Sequence, residues 1–354
     1  MMYSLDEIGL IPAVVSEVKH RAEVDPFYND KLPIFVSPMT CLIDKSNWEK
    51  FHHSKVTPIW PIRNAGINRC MPFVEGWVAV TIEEFKSLFN RCGASDAVPH
   101  GYYKILIDCA NGNMDELFKI VEDAKQEYGT KLVVMIGNIA NPETYFECCK
   151  SHVDFVRVGI GGGSGCTTSV QTGIHASMPW ILEGIKRIKR DLYLMPDLSR
   201  HAVHVNFEQY IKYHGWTITK VVADGGITNP SRAIKCLALG ADYVMMGKAF
   251  AECKEVDVHQ REEFDGPFDL KYFNHYYGQS SEQGQTDRFG KVKANPEGTD
   301  LWVPVTTTLE EFTSKFEAAL RSAMSYCGAK TLDDFIGKVK YEYMSPDEFR
   351  AYNK

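Results

Sequence analysis

Short runs of apolar residues recur along the chain, and most are followed by a stretch whose apolar positions repeat at helical spacing. The strand-like runs are Pro33–Ser37, Val56–Trp60, Trp77–Val80, Tyr103–Asp108, Leu132–Ile136, Asp154–Val158, Thr219–Ala223 and Tyr243–Met246. Each is nearly continuous in apolar character rather than alternating, as expected of parallel strands covered on both faces. Amphipathic helices are predicted at about Ile82–Cys92, Asn113–Tyr128, Pro142–Lys150, Met178–Arg190 and Pro230–Leu239. Strand followed by helix, repeated to a count of eight, predicts an α/β fold, a (β/α)8 TIM barrel. A doubly wound sheet is the structural alternative.

Two segments break this rhythm. Asp191–Tyr210, in which Leu192–Met195 can form an extra strand, reads as an insertion between barrel strands 6 and 7. Tyr276–Asp300 is polar, glycine-containing and without a strong apolar period, which suggests a mobile flap after the last strand. The first 30 residues read as an entry segment, and the tail after Lys330 either packs back onto the barrel or crosses to a neighbour. No linker-like composition divides the chain, so residues 1–354 are expected to form one domain.

Composition narrows the partners. The formal net charge is -7 and the basic residues are scattered, which argues against a nucleic-acid footprint but leaves room for a small anion held by backbone donors. The ten cysteines form no paired CxxC set, and there is neither a leader pattern nor a long apolar run. A reducing, cytoplasmic setting without membrane partners is the expectation.

Three strand ends carry candidate chemistry, and a barrel gathers them on one face. The first is Asp108 in DCANGN. The second is GIGGGSGCTT, Gly159–Thr168, whose glycines allow close backbone approach to a ligand and whose Cys166 is a candidate nucleophile beside Ser164, Thr167 and Thr168. The third is Asp224, Gly225 and Gly226 in VVADGG, a carboxylate for sugar hydroxyls followed by a turn that can approach a phosphate. Gly247 and Lys248 end the last strand, where such barrels often bind phosphate. In the polar segment, Gln279 and Ser280 can read a base edge, and Glu282 or Glu297 can transfer a proton if desolvated. Each of these has a plainer reading: a tight turn, a buried inert cysteine, an Asx cap or a solvated lysine. The eleven histidines show no zinc-like spacing.

Taken in order, VGIGGGSGCTT at Val158–Thr168, VVADGGI at Val221–Ile227 and LALGADYVMMG at Leu237–Gly247 resemble the inosine-monophosphate dehydrogenase and guanosine-monophosphate reductase family, from about Pro33 to Ala329. The resemblance implies a (β/α)8 barrel, usually a homotetramer, acting on a purine nucleoside monophosphate with a nicotinamide cofactor. It makes Cys166 the nucleophile at purine C2 and Asp224 the ribose-binding carboxylate. Ser164, Gly226 and Gly247 match phosphate-binding segments. Asp108, Gly225, Lys248, Gln279 and Ser280 join them as substrate-binding positions, with Asp108, Asn138 and Glu282 facing the cofactor. Carbonyls of Gly161, Gly163 and Cys166 are the family's place for a monovalent cation such as K+.

DCANG at Asp108–Gly112, YGQSSE at Tyr277–Glu282 and PEGTDLWVP at Pro296–Pro304 are similar to reductase segments. By that resemblance Glu297, with Thr168, delivers a proton to a leaving amino group, and no water-activating Arg-Tyr pair is evident. The implied reaction is NADPH-dependent reductive deamination of guanosine monophosphate (GMP) to inosine monophosphate (IMP). Alternatives are NAD-dependent oxidation of IMP to xanthosine monophosphate, a related reaction on a modified or deoxy nucleotide, and a silent nucleotide-binding or assembly protein. The sequence departs from the family at Gly162, where proline is usual, at Gln279, where methionine is usual, and at Lys248, where a second glycine is usual. The basic residue of the early reductase segment has no match, although Arg63 is near. The flap arginine is also absent, with only Lys291 and Lys293 to supply its charge.

Overall fold

The computed structural model describes residues 3–63, 76–89, 103–163, 166–191, 193–196, 202–264, 270–293, 295–296, 298–345, 347–348 and 351. Eight parallel strands close into a barrel: β1 (Ile34–Val36), β2 (Thr57–Trp60), β3 (Trp77–Val80), β4 (Tyr103–Asp108), β5 (Leu132–Ile139), β6 (Phe155–Val158), β7 (Lys220–Asp224) and β8 (Tyr243–Met246). They pair in chain order, with β8 beside β1. The (β/α)8 TIM barrel expected from the apolar runs is therefore the fold. Its strands lie where those runs place them, and helices Asp115–Tyr128, Thr144–Lys150, Met178–Arg190 and Pro230–Leu239 follow β4, β5, β6 and β7.

The barrel interior is plugged with side chains. Phe35, Trp77, Phe155 and Tyr243, from β1, β3, β6 and β8, meet edge-on or tilted, with centroid separations from 5.1 Å (Phe35–Tyr243) to 6.1 Å (Phe35–Phe155). Leu106, Met135, Val222 and Met245 pack against them. A ring of this size buries on the order of 150–250 Å2, which at about 25 cal/mol per Å2 is worth about 4–6 kcal/mol before entropy is charged. Outside the strands, a second and larger apolar cluster joins the barrel wall to its helices.

The segment between β6 and β7 forms an antiparallel ribbon, Tyr193–Pro196 with Ala202–Val205, and then helix Phe207–Tyr213, started by an Asn206–Gln209 capping box. Tyr193 stacks on Tyr210 at 4.8 Å and on Phe146 at 6.0 Å, so this part leans on the outer helix Thr144–Lys150.

After β8 the chain leaves the barrel in three antiparallel strands, β9 (Gln260–Phe264), β10 (Leu270–Tyr277) and β11 (Asp300–Pro304). Helix Glu282–Phe289 lies between the last two, capped by Ser281 and ended by Gly290 in the left-handed region. Much of the stretch expected to be irregular is thus ordered. This helix has hardly any apolar stripe for periodicity to show; its caps alone mark it. The buried Asn274 amide ties β10 to the barrel by donating to the carbonyls of Ala251 (2.9 Å) and Cys253 (3.0 Å).

At the opposite end of the sequence, Ile8–Leu10 pairs antiparallel with Tyr341–Tyr343, so the tail packs back onto its own chain. The hydroxyls of Tyr341 and Tyr343 both donate to Glu183 on helix Met178–Arg190. Among the described residues, no helix is long and apolar enough to cross a membrane.

Candidate active site

Alternation along a strand sends residues i and i+2 to the same side. Two positions beyond the inward-facing Leu106, Phe155 and Val222 stand Asp108, Arg157 and Asp224, at the C-terminal mouth of the barrel. Arg157 bridges the two carboxylates: Nη1 donates to Asp108 at 2.8 Å and Nη2 to Asp224 at 2.8 Å. Arg288, from helix Glu282–Phe289, donates to the other oxygen of Asp108 at 3.3 Å. The Asn138 amide donates to Asp224 at 2.9 Å and to the Gly159 carbonyl at 2.7 Å. The result is a row of alternating charge, Asp224, Arg157, Asp108, Arg288. Burial by itself raises the Asp108 carboxyl, but the Arg157 and Arg288 guanidiniums outweigh it and hold the group below the usual carboxylate range. Burial likewise disfavours the charged form of Arg157, and the Asp224 and Asp108 carboxylates more than offset it. Gly137 makes the arrangement possible, because a Cβ there would sit 2.5 Å from the Arg157 Cβ and 2.7 Å from its carbonyl oxygen.

The turn after β6 carries the thiol. Its start is pressed against the turn after β7: a Cβ on Gly159, at φ +124°, would lie 2.1 Å from the Asp224 carbonyl oxygen, so this approach requires glycine. Further on, Gly162 stacks backbone to backbone on Gly225. The Cys166 N–H donates to the Gly163 carbonyl at 3.0 Å, and its thiol donates to the Thr168 hydroxyl at 3.2 Å. The chain returning towards β11 lies against this turn. Gly298 forms an antiparallel bridge with Cys166, and the Gln171 amide donates to the Pro296 carbonyl at 3.3 Å.

These parts surround a cavity of about 330 Å3. Its other wall comes from Ser37, Pro38 and Met39 after β1, and from Tyr276, Gly278, Gln279 and Ser280. The Gln279 side-chain amide donates to the Pro38 carbonyl, which leaves its Oε1 buried without a donor. Among the described residues, the buried side-chain polar atoms that lack a partner are Arg157 Nε, Arg288 Nε, Gln279 Oε1 and Arg63 Nε. The first three belong to residues lining the cavity, and Arg63 braces the neighbouring loop through the Thr40 and Ile43 carbonyls. Natural proteins leave few such atoms, so their concentration here marks a place built for a ligand.

Most of the residues singled out from the sequence converge on this cavity. Asp108, Asn138, Cys166, Thr168 and Asp224 line it, as do Gly161, Gly163, Gly225 and Gly226. Gly247, Lys248, Gln279 and Ser280 complete the opposite wall. Glu282 does not reach it; it is exposed on the first turn of its helix. Ser164 and Glu297 lie outside the described residues. Sequence reasoning missed Arg157, Arg288 and Tyr276. Arg157 had a signal, a lone cation at an inward position of an otherwise apolar run. Arg288 had none. Cys109 also lines the cavity, but burial pushes its thiol up to about 11.

The sequence matches the IMP dehydrogenase / GMP reductase domain over residues 76–186 and 200–350. It is 32% identical to the inosine-5'-monophosphate dehydrogenase of Chlorobaculum tepidum over 71% of this chain and 47% of that protein. It is 28% identical to the GMP reductase of Streptococcus gordonii over 94% of this chain and 92% of that protein. With the GMP reductase of Klebsiella pneumoniae subsp. pneumoniae it shares 30% identity over 79% of this chain and 76% of that protein. The chain spans about half the length of the IMP dehydrogenases it matches.

Proposed function

This chain belongs to the IMP dehydrogenase / GMP reductase family, and we propose that it is a purine nucleotide oxidoreductase that reductively deaminates GMP to IMP and ammonia. The observation that carries the reading is the Cys166 turn. A thiol hydrogen-bonded to Thr168 opens on a cavity shared with Asp224, and the chain on either side of position 297 packs against it. Coverage of nearly the whole Streptococcus gordonii GMP reductase, together with the reductase-like segments at Asp108, Tyr277 and Pro296, supports the reductive direction.

In this reading Cys166 gives up its proton and its sulfur adds to purine C2. Asp224 and the Gly225–Gly226 turn hold the ribose and phosphate, with Gly247, Lys248 and Ser280 on the opposite wall. Glu297, with Thr168, protonates the amino group, which leaves as ammonia and keeps C2 bonded to sulfur as a thioimidate. A nicotinamide cofactor, when bound, supplies a hydride to C2. Release of the Cys166 thiolate then gives IMP. The residues fit such a cofactor: Asp108, Asn138 and Arg157 would hold it, and the orphaned Nε–H groups of Arg157 and Arg288 are donors for its polar groups. NADPH is the expected donor by resemblance. The Tyr276–Asp300 segment acts as the flap over the reaction, and Glu282, exposed at its helix start, meets the outer part of the cofactor. The carbonyls of Gly161, Gly163 and Cys166 take a monovalent cation, the chain assembles as a tetramer, and a reducing cytoplasm keeps the thiol free.

The test is loss of reduced-nicotinamide absorbance with GMP, coupled to ammonia release and absent in Cys166→Ala. Reduction of NAD with IMP, and appearance of xanthosine monophosphate, would replace this reading by the dehydrogenase one. The observation favouring that second reading is Arg288, a guanidinium that helix Glu282–Phe289 brings to the cavity wall.

A further inference from the structure

We infer that Arg232 is a positioning residue for nucleotide binding: clamped by Asp6, it orients the glycine turn after β7 so that a peptide N–H, not a carbonyl, meets the phosphate. The inference rests on the purine nucleotide reading above and deepens it. Arg232 stands on the first turn of helix Pro230–Leu239 and is not among the residues that line the cavity. Its Nη1 donates to the Gly226 carbonyl at 2.9 Å and lies 3.5 Å from the Thr228 hydroxyl. The other edge of the guanidinium is held by the Asp6 carboxylate, which accepts from Nε at 2.8 Å and from Nη2. A planar guanidinium gripped at two nitrogens has little freedom left, so the third is aimed at one place.

The turn needs such a hold. Gly225 and Gly226 are consecutive, at φ +103° and +72°, and glycine gives a backbone little stiffness of its own. In a trans peptide the carbonyl and the N–H point in opposite directions. With the Gly226 carbonyl drawn out to Arg232, the N–H of the same peptide, that of Ile227, is directed away from Arg232. Gly225, Gly226, Ile227 and Thr228 all line the cavity on that side. A phosphate is stabilised by backbone N–H donors and repelled by a carbonyl oxygen. The Arg232 charge is matched by Asp6, whose carboxyl its hydrogen bonds hold below the usual carboxylate range, so what reaches the cavity is orientation rather than net charge. Asp6 belongs to the short turn Leu5–Glu7, directly before Ile8–Leu10. A segment far from β7 in sequence thus takes part in the site without touching the ligand.

The test uses the full chain and measures the binding of GMP by calorimetry, and of guanosine by competition with GMP, for the wild type, Arg232→Met, Arg232→Lys and Asp6→Asn. The Asp6 and Arg232 side chains are each 30% exposed, so the variants are expected to fold; should Arg232→Met not do so, Asp6→Asn carries the test by itself. Arg232→Met should lose about tenfold in GMP affinity and keep its affinity for guanosine, which has no phosphate. Arg232→Lys, which keeps the charge but not the fork, should share most of that loss. Asp6→Asn separates orientation from charge. Removal of an acid strengthens anion binding if only the field matters, whereas a loosened clamp weakens GMP binding, by about threefold. Unchanged or tighter GMP binding by Asp6→Asn, or wild-type binding by either Arg232 variant, overturns the inference and leaves the purine nucleotide reading standing. So do equal losses of GMP and guanosine in Arg232→Met, which is how a merely structural arginine would behave. Failure of the wild type to bind GMP overturns both.

Discussion

Two layers of one barrel, two residues apart on the same strands, have opposite chemistry. On β6, Phe155 joins a plug of edge-on rings while Arg157 ties two carboxylates together. On β4 and β7 the same step leads from Leu106 to Asp108 and from Val222 to Asp224. The lower layer is self-sufficient: its rings pack on one another and on Leu106, Met135, Val222 and Met245. The upper layer satisfies most of its charges internally but leaves single donors and acceptors over, and three of those atoms belong to residues that line a cavity. Stability and function are thus separated by one turn of the pleat rather than by domains.

The comparison can be broken at its most reactive point first. Cys166→Ala should abolish turnover, a loss on the order of 10^4-fold or more in kcat if sulfur forms the covalent bond, while leaving the unfolding midpoint nearly unchanged. Steady-state assays beside a denaturant titration check this. Next in size, Arg157→Met should cost about 3–5 kcal/mol, because it strands buried carboxylates that lose their partner. Phe155→Ala should cost about as much by opening a cavity.

Acid distinguishes these two variants. In the wild type the Asp108 carboxyl is held below its usual range, so its contribution to stability is present above the unfolded-state value and is lost as pH falls through the lower folded one. Without Arg157 the buried carboxylate is relieved by protonation. The deficit of Arg157→Met should therefore shrink on acidification, while that of Phe155→Ala stays constant, as urea midpoints across a pH series would show. Equal behaviour of the two would erase the distinction between the layers.

A smaller effect is expected for Arg288→Met, which removes one of two partners from Asp108. About 1–3 kcal/mol is the scale for such a loss, and hydrogen exchange should show it concentrated in helix Glu282–Phe289. Smallest is Lys150→Ala on the outer helix, whose ammonium lies over the Phe146 and Trp216 rings at 5.1 and 5.9 Å. It should change stability by about 0.5–1 kcal/mol or less and leave catalysis alone.

The barrel was legible because parallel strands buried on both faces must be apolar throughout, and eight such runs stand out. Cys166, Asp108 and Asp224 were legible because strand ends collect at one mouth and these residues interrupt glycine-rich turns. Arg157 was hidden by the same rule that revealed its strand, since one cation within FVRV looks like an edge position until its neighbours are known. Arg288 was out of reach for a different reason. Its partner Asp108 is 180 positions away, and nothing local in a polar helix announces a contact made only after the barrel closes. The strands within Leu270–Pro304 were obscured because, of their apolar residues, only Tyr276, Tyr277 and Val303 reach the core, and they are set among polar or exposed neighbours.

The ribbon between Ile8–Leu10 and Tyr341–Tyr343 has a mechanical consequence. Ile8 is paired with Tyr343 and Leu10 with Tyr341, so both strands lead outward from the same end of the pair. Tension applied between Tyr3 and Ser345 would load the hydrogen bonds one at a time, as a zipper is loaded, instead of shearing them together. A pulling experiment should therefore meet a weak first event, in which the tail peels from its partner and from Glu183, while the barrel beneath still carries the force.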